Sequence, residues 1–207
     1  MKTQILLFPF GGNSLEALDC LDSHYEILGF VDDNPEKVGS IYLNFQIFDR
    51  EAFLKFPEAK VLACIGSPNN FQKRKEIIQS LNLPQERFIN IIHPTAQISK
   101  YAKVGNNCLI MAGVVITHNA QIGDNVIILP NTVIHHDTKV GNYTCIGSSV
   151  VIAGFCDIGE SCYIGSGTNI INNTSIGEKT MIGIGTNVIR SFGAYKKIVG
   201  NPAKEIV

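Results

Sequence analysis

The sequence predicts an α/β leader followed by an all-β, parallel β-helix of hexapeptide repeats. Three observations predict it. From Ile92 to Val188 every sixth residue is Ile or Val, seventeen positions without a break. Four places after most of them stands a small or β-branched residue: Ala96, Ala102, Cys108, Val114, Ala120, Val126, Thr132, Thr138, Thr144, Cys156 and Cys162. Gly105, Gly123, Gly141, Gly159 and Gly177 recur every eighteen residues, each followed by Asn, Asp or Glu. A helix repeats every 3.6 residues and a half-buried strand every 2, so a period of six is neither. It belongs to a coil whose stacked units bury one continuous column. Eighteen is three sixes, so each coil is a triangle of three short strands. Its glycine-bearing corner is expected to need glycine for backbone freedom. No loop interrupts the run between 92 and about 190, which gives about five coils. In the tail, 191–207, Gly200 and Pro202 predict a loop over the last coil.

The leader, 1–91, follows a different pattern. QILLFPF (4–10) reads as a buried strand, GGNS (11–14) as a turn, and SLEALDCLDS (14–23) as a helix capped by Ser14. YEILGFVDD (25–33) and KVLACIG (60–66) read as further strands. NNFQKRKEIIQSLN (69–82) reads as an amphipathic helix with Phe71, Ile77, Ile78 and Leu81 on its apolar face. RFINIIHP (87–94) leads into the first coil. Strands alternating with helices predict a parallel sheet.

Composition narrows the function classes. Apolar residues make up 45% and charged residues 17%, enough for a sizeable core, and the net charge of -1 gives no electrostatic case for nucleic acid or an anionic membrane. No apolar run approaches the roughly 18 residues of a membrane span. MKTQILLFPFGG lacks the cleavage site of a secretory leader, so a soluble cytoplasmic protein is expected. The six cysteines form no CxxC pair and match no zinc spacing. Cys108, Cys156 and Cys162 fall in the small-residue column and read as interior residues. No metal is expected.

The segment TVIHHDTKVG (132–141) places two histidines and an aspartate in a stretch otherwise patterned as buried strand. In the six-residue register Ile134 points inward, and His136 faces out near a corner, followed by Asp137. Eighteen residues earlier the equivalent position is His118, and eighteen later it is Gly154. These positions should stack on one edge, roughly 4.8 Å apart. A carboxylate beside an imidazole fixes its tautomer and raises its basicity. Gly154 leaves room for a ligand, and its N–H is placed to act as an oxyanion donor. The constellation predicts acyl transfer, with His136 as general base and Asp137 as its partner, the attack falling on a thioester carbonyl. Solvated polar decoration is the alternative. A covalent route through Cys145 is disfavoured because no flanking cation lowers its pKa. A non-catalytic or γ-carbonic-anhydrase-like trimer would use His118 and His136 as metal ligands, but the usual third histidine is missing.

In the leader, the turn of Gly11, Gly12 and Asn13 follows the first strand and precedes a helix, an arrangement that presents N–H groups to a diphosphate. Asp32 and Asp33 end the second strand, where carboxylates accept hydrogen bonds from a ribose or base. NAD is the rival ligand, but GGNSLE is not GxGxxG and the leader is half a dinucleotide fold. Arg74 and Arg87 are either phosphate contacts or solvated charges, and His93 reads as a cap on the repeat.

FGGN (10–13), GFVDD (29–33), CIGSPNN (64–70), HPTAQIS (93–99), IHHDTKVG (134–141) and GNPAK (200–204) resemble the NeuD/PglD-type sugar O-/N-acetyltransferases over nearly the whole chain. These are left-handed β-helix enzymes of hexapeptide repeats with a small Rossmann-like leader. The resemblance implies a nucleotide-sugar-binding domain at 1–91, an acyltransferase domain at 92–190, and a tail at 191–207 that closes the coenzyme A groove. It implies that His136 and Asp137 are catalytic. Gly11, Gly12, Asn13, Asp32, Asp33 and Gly66 would hold the nucleotide-sugar, with His118 beside the acceptor. Cys145, Gly154, Ser166 and Ile184 would line the coenzyme A groove. Acetyl-CoA is the implied donor, and a homotrimer with sites between subunits the implied assembly. The chain departs from the family at Leu129, where asparagine is usual, and at Cys145, where some members have histidine. The activity expected is N-acetylation of a UDP- or dTDP-linked 4-amino-4,6-dideoxyhexose. O-acetylation of sialic acid or another free sugar is the alternative.

Overall fold

In the computed structural model, which describes residues 2–206, the Ile/Val column is the spine of a triangular prism. Its three walls are ladders of two-residue strands paired in parallel with the strand eighteen residues away. The first wall runs from Gln97–Ile98 to Asn187–Val188, the second from Lys103–Val104 to Ser175–Ile176, and the third starts at Ile91–Ile92 and passes through Cys145–Ile146. These repeated parallel ladders are consistent with the left-handed β-helix expected. In each strand the second residue points inward, and those from Ile110 to Val188 are buried. Ile92 opens the column yet stays 40% exposed, because no coil stacks beneath it.

The small column solves a polar problem at the same time. Buried threonines hydrogen-bond carbonyls fifteen residues on: Thr132 to Gly147 at 2.7 Å, Thr138 to Ala153 at 2.8 Å, and Thr144 to Gly159 at 2.9 Å. Cys108, Cys156 and Cys162 reach the carbonyls of Gly123, Ile171 and Gly177 in the same way, each at 3.2 Å. These thiols thus stand in for threonine hydroxyls, and all six cysteines are free and buried.

The eighteen-residue glycines are needed for a reason other than the one expected. None has positive φ. The left-handed conformation falls two residues later, on Asn107, Asn125, Tyr143, Ser161 and Lys179. A Cβ on Gly141 or Gly159 would lie 2.6 or 2.5 Å from the backbone nitrogen of the next coil. Glycine there allows close stacking of coils.

The leader holds β1 (Thr3–Phe8), α1 (Gly12–Ala17), β2 (Tyr25–Val31), β3 (Ile41–Tyr42), β4 (Phe45–Phe48), α2 (Ala52–Lys55), β5 (Lys60–Ala63) and α3 (Arg74–Gln79). The sheet order is β3-β4-β2-β1-β5, parallel except for the β3–β4 hairpin. Strand alternation sends Ile5 and Leu7 to one face and Leu6 and Phe8 to the other. Leu6 and Phe8 pack with Ile78 and Leu81. Ile5 and Leu7 pack, with α1, against the outward residues Ile91, Leu109, Ile127 and Cys145 of the third wall. The expected Rossmann-like domain is therefore present only as a mainly parallel α/β sheet with three short α-helices. The prism wall takes much of the cover that longer helices would supply.

Two local expectations need correction. Ser14 does not cap α1: Gly11 occupies that position without a side-chain cap, and the buried Ser14 hydroxyl donates to the Pro9 carbonyl. The tail is also more than a loop. Phe192 bridges Ile176, Lys197–Val199 extends the third wall in parallel with Met181–Ile182, and Lys204–Ile206 returns antiparallel. Stacked partners there are sixteen residues apart, so stacking continues while the sixfold spacing is lost.

Candidate active site

His136 sits on the edge between the first and second walls, just after Val133–Ile134. The neighbouring corner residue Asp137 adopts φ 58, a conformation that Asp tolerates better than most residues. This turn brings its carboxylate back onto the imidazole, with Nδ1 and Oδ2 2.8 Å apart. The other oxygen, Oδ1, accepts a 2.6 Å hydrogen bond from Asn119 Nδ2, one coil below. The Asn119 amide foremost, and His136 after it, hold the Asp137 carboxyl below the ordinary carboxylate range. An ionised acceptor at Nδ1 keeps the imidazole proton there and leaves the Nε2 lone pair free.

The His136 ring lies over Gly154. A Cβ on that glycine would stand 2.7 Å from Cε1 and 2.8 Å from Nε2, so any other residue would displace the imidazole. No hydrogen bond among the described residues engages the Gly154 N–H, nor that of His118 or His136. The His136 side chain is 49% exposed and meets the Phe155 ring edge to face, 5.1 Å between centroids. His118 stacks one coil below with Tyr101 against it at 4.7 Å. Asn119 and Phe155, absent from the sequence prediction, occupy the Asp137 column at eighteen-residue offsets. That offset is the signal by which they could have been found.

Asn119→Ala should let the Asp137 carboxyl climb back toward its ordinary value. A carboxyl-carbon NMR titration reads this directly, and an unchanged midpoint would show that Asn119 does not hold the charge.

The leader residues form two groups. Gly11, Gly12, Asn13 and Gly66 line one cavity of about 220 Å³. Asn13 Nδ2 closes it by donating to the carbonyls of Cys64 (2.9 Å) and Gly66 (3.2 Å). Asp32 and Asp33 line a second cavity of about 440 Å³, and both are already paired. Asp32 Oδ2 meets Lys37 Nζ at 3.0 Å, and Asp33 takes two hydrogen bonds from Arg50, at 2.6 and 2.7 Å. Lys37 also donates to the Phe10 carbonyl at 2.9 Å, tying the two strand ends together.

The four residues expected at the coenzyme groove do not assemble within one chain. Gly154 is on the His136 edge. Ser166 and the 80%-exposed Ile184 lie on the edge between the third and first walls. Cys145 is buried where the leader meets the third wall, and a Cβ on Gly66 would come within 2.8 Å of its sulfur. Burial pushes its thiol pKa up, which disfavours the thiolate that a nucleophile requires.

Arg74 is buried and Arg87 half-buried, and neither is a free charge. Arg74 is 0% exposed and donates to the carbonyls of Ile65, Tyr143 and Asn125. Arg87 is spent on Ala59 and Phe56. His93 bonds Thr95 at 2.8 Å, as a cap does. Lys196 pairs with Glu205. Among the described residues no cluster of three or more His, Cys, Asp and Glu side chains could hold a metal ion, and no helix is long and apolar enough to cross a membrane.

Comparison with known proteins adds to this geometry. Residues 101–136 and 119–154 match the family described as bacterial transferase hexapeptide (six repeats). A search of curated sequences returned no match. PerB from Caulobacter crescentus, in complex with CoA and GDP-perosamine, superposes with TM-score 0.87 at 24% identity, over 100% of this chain and 98% of PerB. The acetyltransferase domain of PglB from Neisseria gonorrhoeae FA1090, in complex with acetyl coenzyme A, gives 0.86 at 22% identity over all of both chains. WeeI from Acinetobacter baumannii AYE gives 0.83 at 19%, again over all of both. The chain thus carries transferase-type hexapeptide repeats and shares, from end to end, the fold of PerB, the PglB acetyltransferase domain and WeeI.

Proposed function

We propose that this chain is an acetyl-CoA-dependent N-acetyltransferase acting on a nucleotide-linked amino sugar of the 4-amino-4,6-dideoxyhexose class. The observation that carries the reading is the His136–Asp137 pair, anchored by Asn119, with Nε2 free above a glycine. The ligands bound to the similar folds of PerB and the PglB domain support it. In the proposed reaction the sugar amine attacks the thioester carbonyl and a C–N bond forms. His136 Nε2 takes the proton the nitrogen sheds, and the Gly154 N–H faces the developing oxyanion. Collapse breaks the C–S bond, and the imidazolium returns its proton to the departing thiolate. No acyl-enzyme forms and no metal takes part.

In this reading residues 1–91 are a Rossmann-like unit that holds the nucleotide in the Gly11–Gly12–Asn13–Gly66 cavity. The left-handed β-helix at 92–190 performs the transfer, and 191–207 close the donor groove. The site is completed by a second copy in a homotrimer. His136 and the Ser166–Ile184 pair lie on opposite edges of the first wall, so they can meet only across two chains. The outward Val115, Val133 and Val151 of that wall form a half-buried apolar stripe suited to such packing.

A thermal-shift panel of UDP-, dTDP-, GDP- and CMP-sugars, with and without coenzyme A, tests the reading alongside thiol release from acetyl-CoA and sedimentation. One nucleotide class should raise Tm further when coenzyme A is present, its amino sugar should release thiol, and the protein should sediment as three chains. Thiol release with free sialic acid alone would move the reading to O-acetylation. A monomer in solution would overturn the shared site.

A further inference from the structure

The Asp137 column contains a residue that its own backbone disfavours. Asn119, Asp137, Phe155 and Asn173 all hold φ between 57 and 59. Asn and Asp enter this left-handed region at little cost, whereas a bulky side chain there is an outlier. Phe155 is also 56% exposed, so it carries both backbone strain and an aromatic ring in water. Tyr143 and Tyr195 hold the same φ at other corners, so the conformation alone marks no function; what sets Phe155 apart is its place beside His136. The ring stands edge to face with His136 at 88°, and the Phe155 N–H donates to the His136 carbonyl at 3.1 Å. The same backbone bond joins Asp137 to His118 and Asn173 to Gly154, so the regular stacking of coils sets the half-exposed phenyl ring beside the imidazole.

We infer that Phe155 is the specificity-determining residue for the acceptor's deoxy carbon, an inference that rests on the proposed function. In a 4-amino-4,6-dideoxyhexose the methyl carbon is three bonds from the amine nitrogen, about 3 Å away by ordinary bond lengths. An amine about 3 Å from His136 Nε2 thus has its methyl group within reach of a ring centred 5.1 Å from the imidazole. The phenyl face accepts a methyl group. A hydroxymethyl group in the same place would set its hydroxyl against an aromatic face, a weaker partner than the water it displaces.

The test uses GDP-, UDP- and dTDP-linked 4-amino-4,6-dideoxyhexoses, each beside the 4-amino-4-deoxyhexose that keeps its 6-hydroxyl. The parent protein should favour the 6-deoxy acceptor in kcat/KM by about 10–100-fold, the range one small apolar contact supports. Phe155→Asn installs the residue found at 119 and 173, so its thermal stability should match or exceed the parent's. Its preference should fall to within about threefold of unity, chiefly through loss on the 6-deoxy acceptor. Phe155→Leu, which keeps an apolar surface, should retain most of the preference. Equal losses on both acceptors, or an unchanged ratio, would overturn the inference and leave the proposed function standing. A parent protein that acetylates neither sugar overturns both.

Discussion

His136→Ala is expected to lower turnover by roughly 10²–10⁴-fold, the usual worth of a positioned general base, while leaving thermal stability near the parent's. The imidazole is half exposed and meets Asp137, Phe155 and the Gly154 backbone on the outside of the prism, so its removal opens no cavity in the column. Exposed substitutions of this kind stay within about 0.5 kcal/mol. The Gly11–Gly12–Asn13–Gly66 cavity lies on the leader, away from the imidazole, so KM for the nucleotide-sugar should change little and the loss should fall on kcat. Raising the pH should recover part of the variant's rate, because an amine already deprotonated in solution needs less help. Asp137→Asn should give a smaller loss, since the imidazole remains but its tautomer is no longer fixed. Steady-state kinetics on purified, folded variants check all of this. Turnover close to the parent's in His136→Ala would remove the base from the mechanism.

Arg74→Met is expected to cost stability on the order of 3–5 kcal/mol, although the residue meets no carboxylate among the described residues. Its guanidinium joins three carbonyls: Ile65 in the loop leading to Gly66, and Tyr143 and Asn125 on the prism. Methionine fills similar space but leaves three buried acceptors without donors, at about 1–3 kcal/mol each before relaxation. For a chain of this length that lowers Tm by about 10 °C. Arg74→Lys should rescue only a fraction, because one ammonium cannot face three separated carbonyls in the fixed directions of a guanidinium. Thermal unfolding measures both variants. A melting point within 2 °C of the parent's in Arg74→Met would show that the leader does not depend on this contact.

What the sequence discloses follows from how local each feature is. The Ile/Val column and the eighteen-residue stacking of His118, His136 and Gly154 are readable because a β-helix turns spatial neighbours into fixed sequence offsets. The same offset would have given Asn119. It fails in the tail, where coils are two residues shorter and Phe192 and Ile198 leave the count while keeping their place in the stack. The β3–β4 hairpin went unpredicted although Leu43 and Asn44, both with positive φ, mark its turn. Cys145 and Arg74 were not readable in this way. Their surroundings depend on the leader packing against the third wall, a contact between segments far apart in the chain. The paired state of Asp32 and Asp33 is hidden for the same reason, since Arg50 arrives from the far side of the β3–β4 hairpin.

The reversed strand Lys204–Ile206 has a consequence for how the protein behaves in company. A ladder of parallel strands ends in a row of open amides and carbonyls, ready to template another prism end to end and grow into a fibre. Here the chain turns back on itself and offers an antiparallel rim bearing Lys204 and Glu205. A further parallel coil finds no matching register on that rim of the third wall.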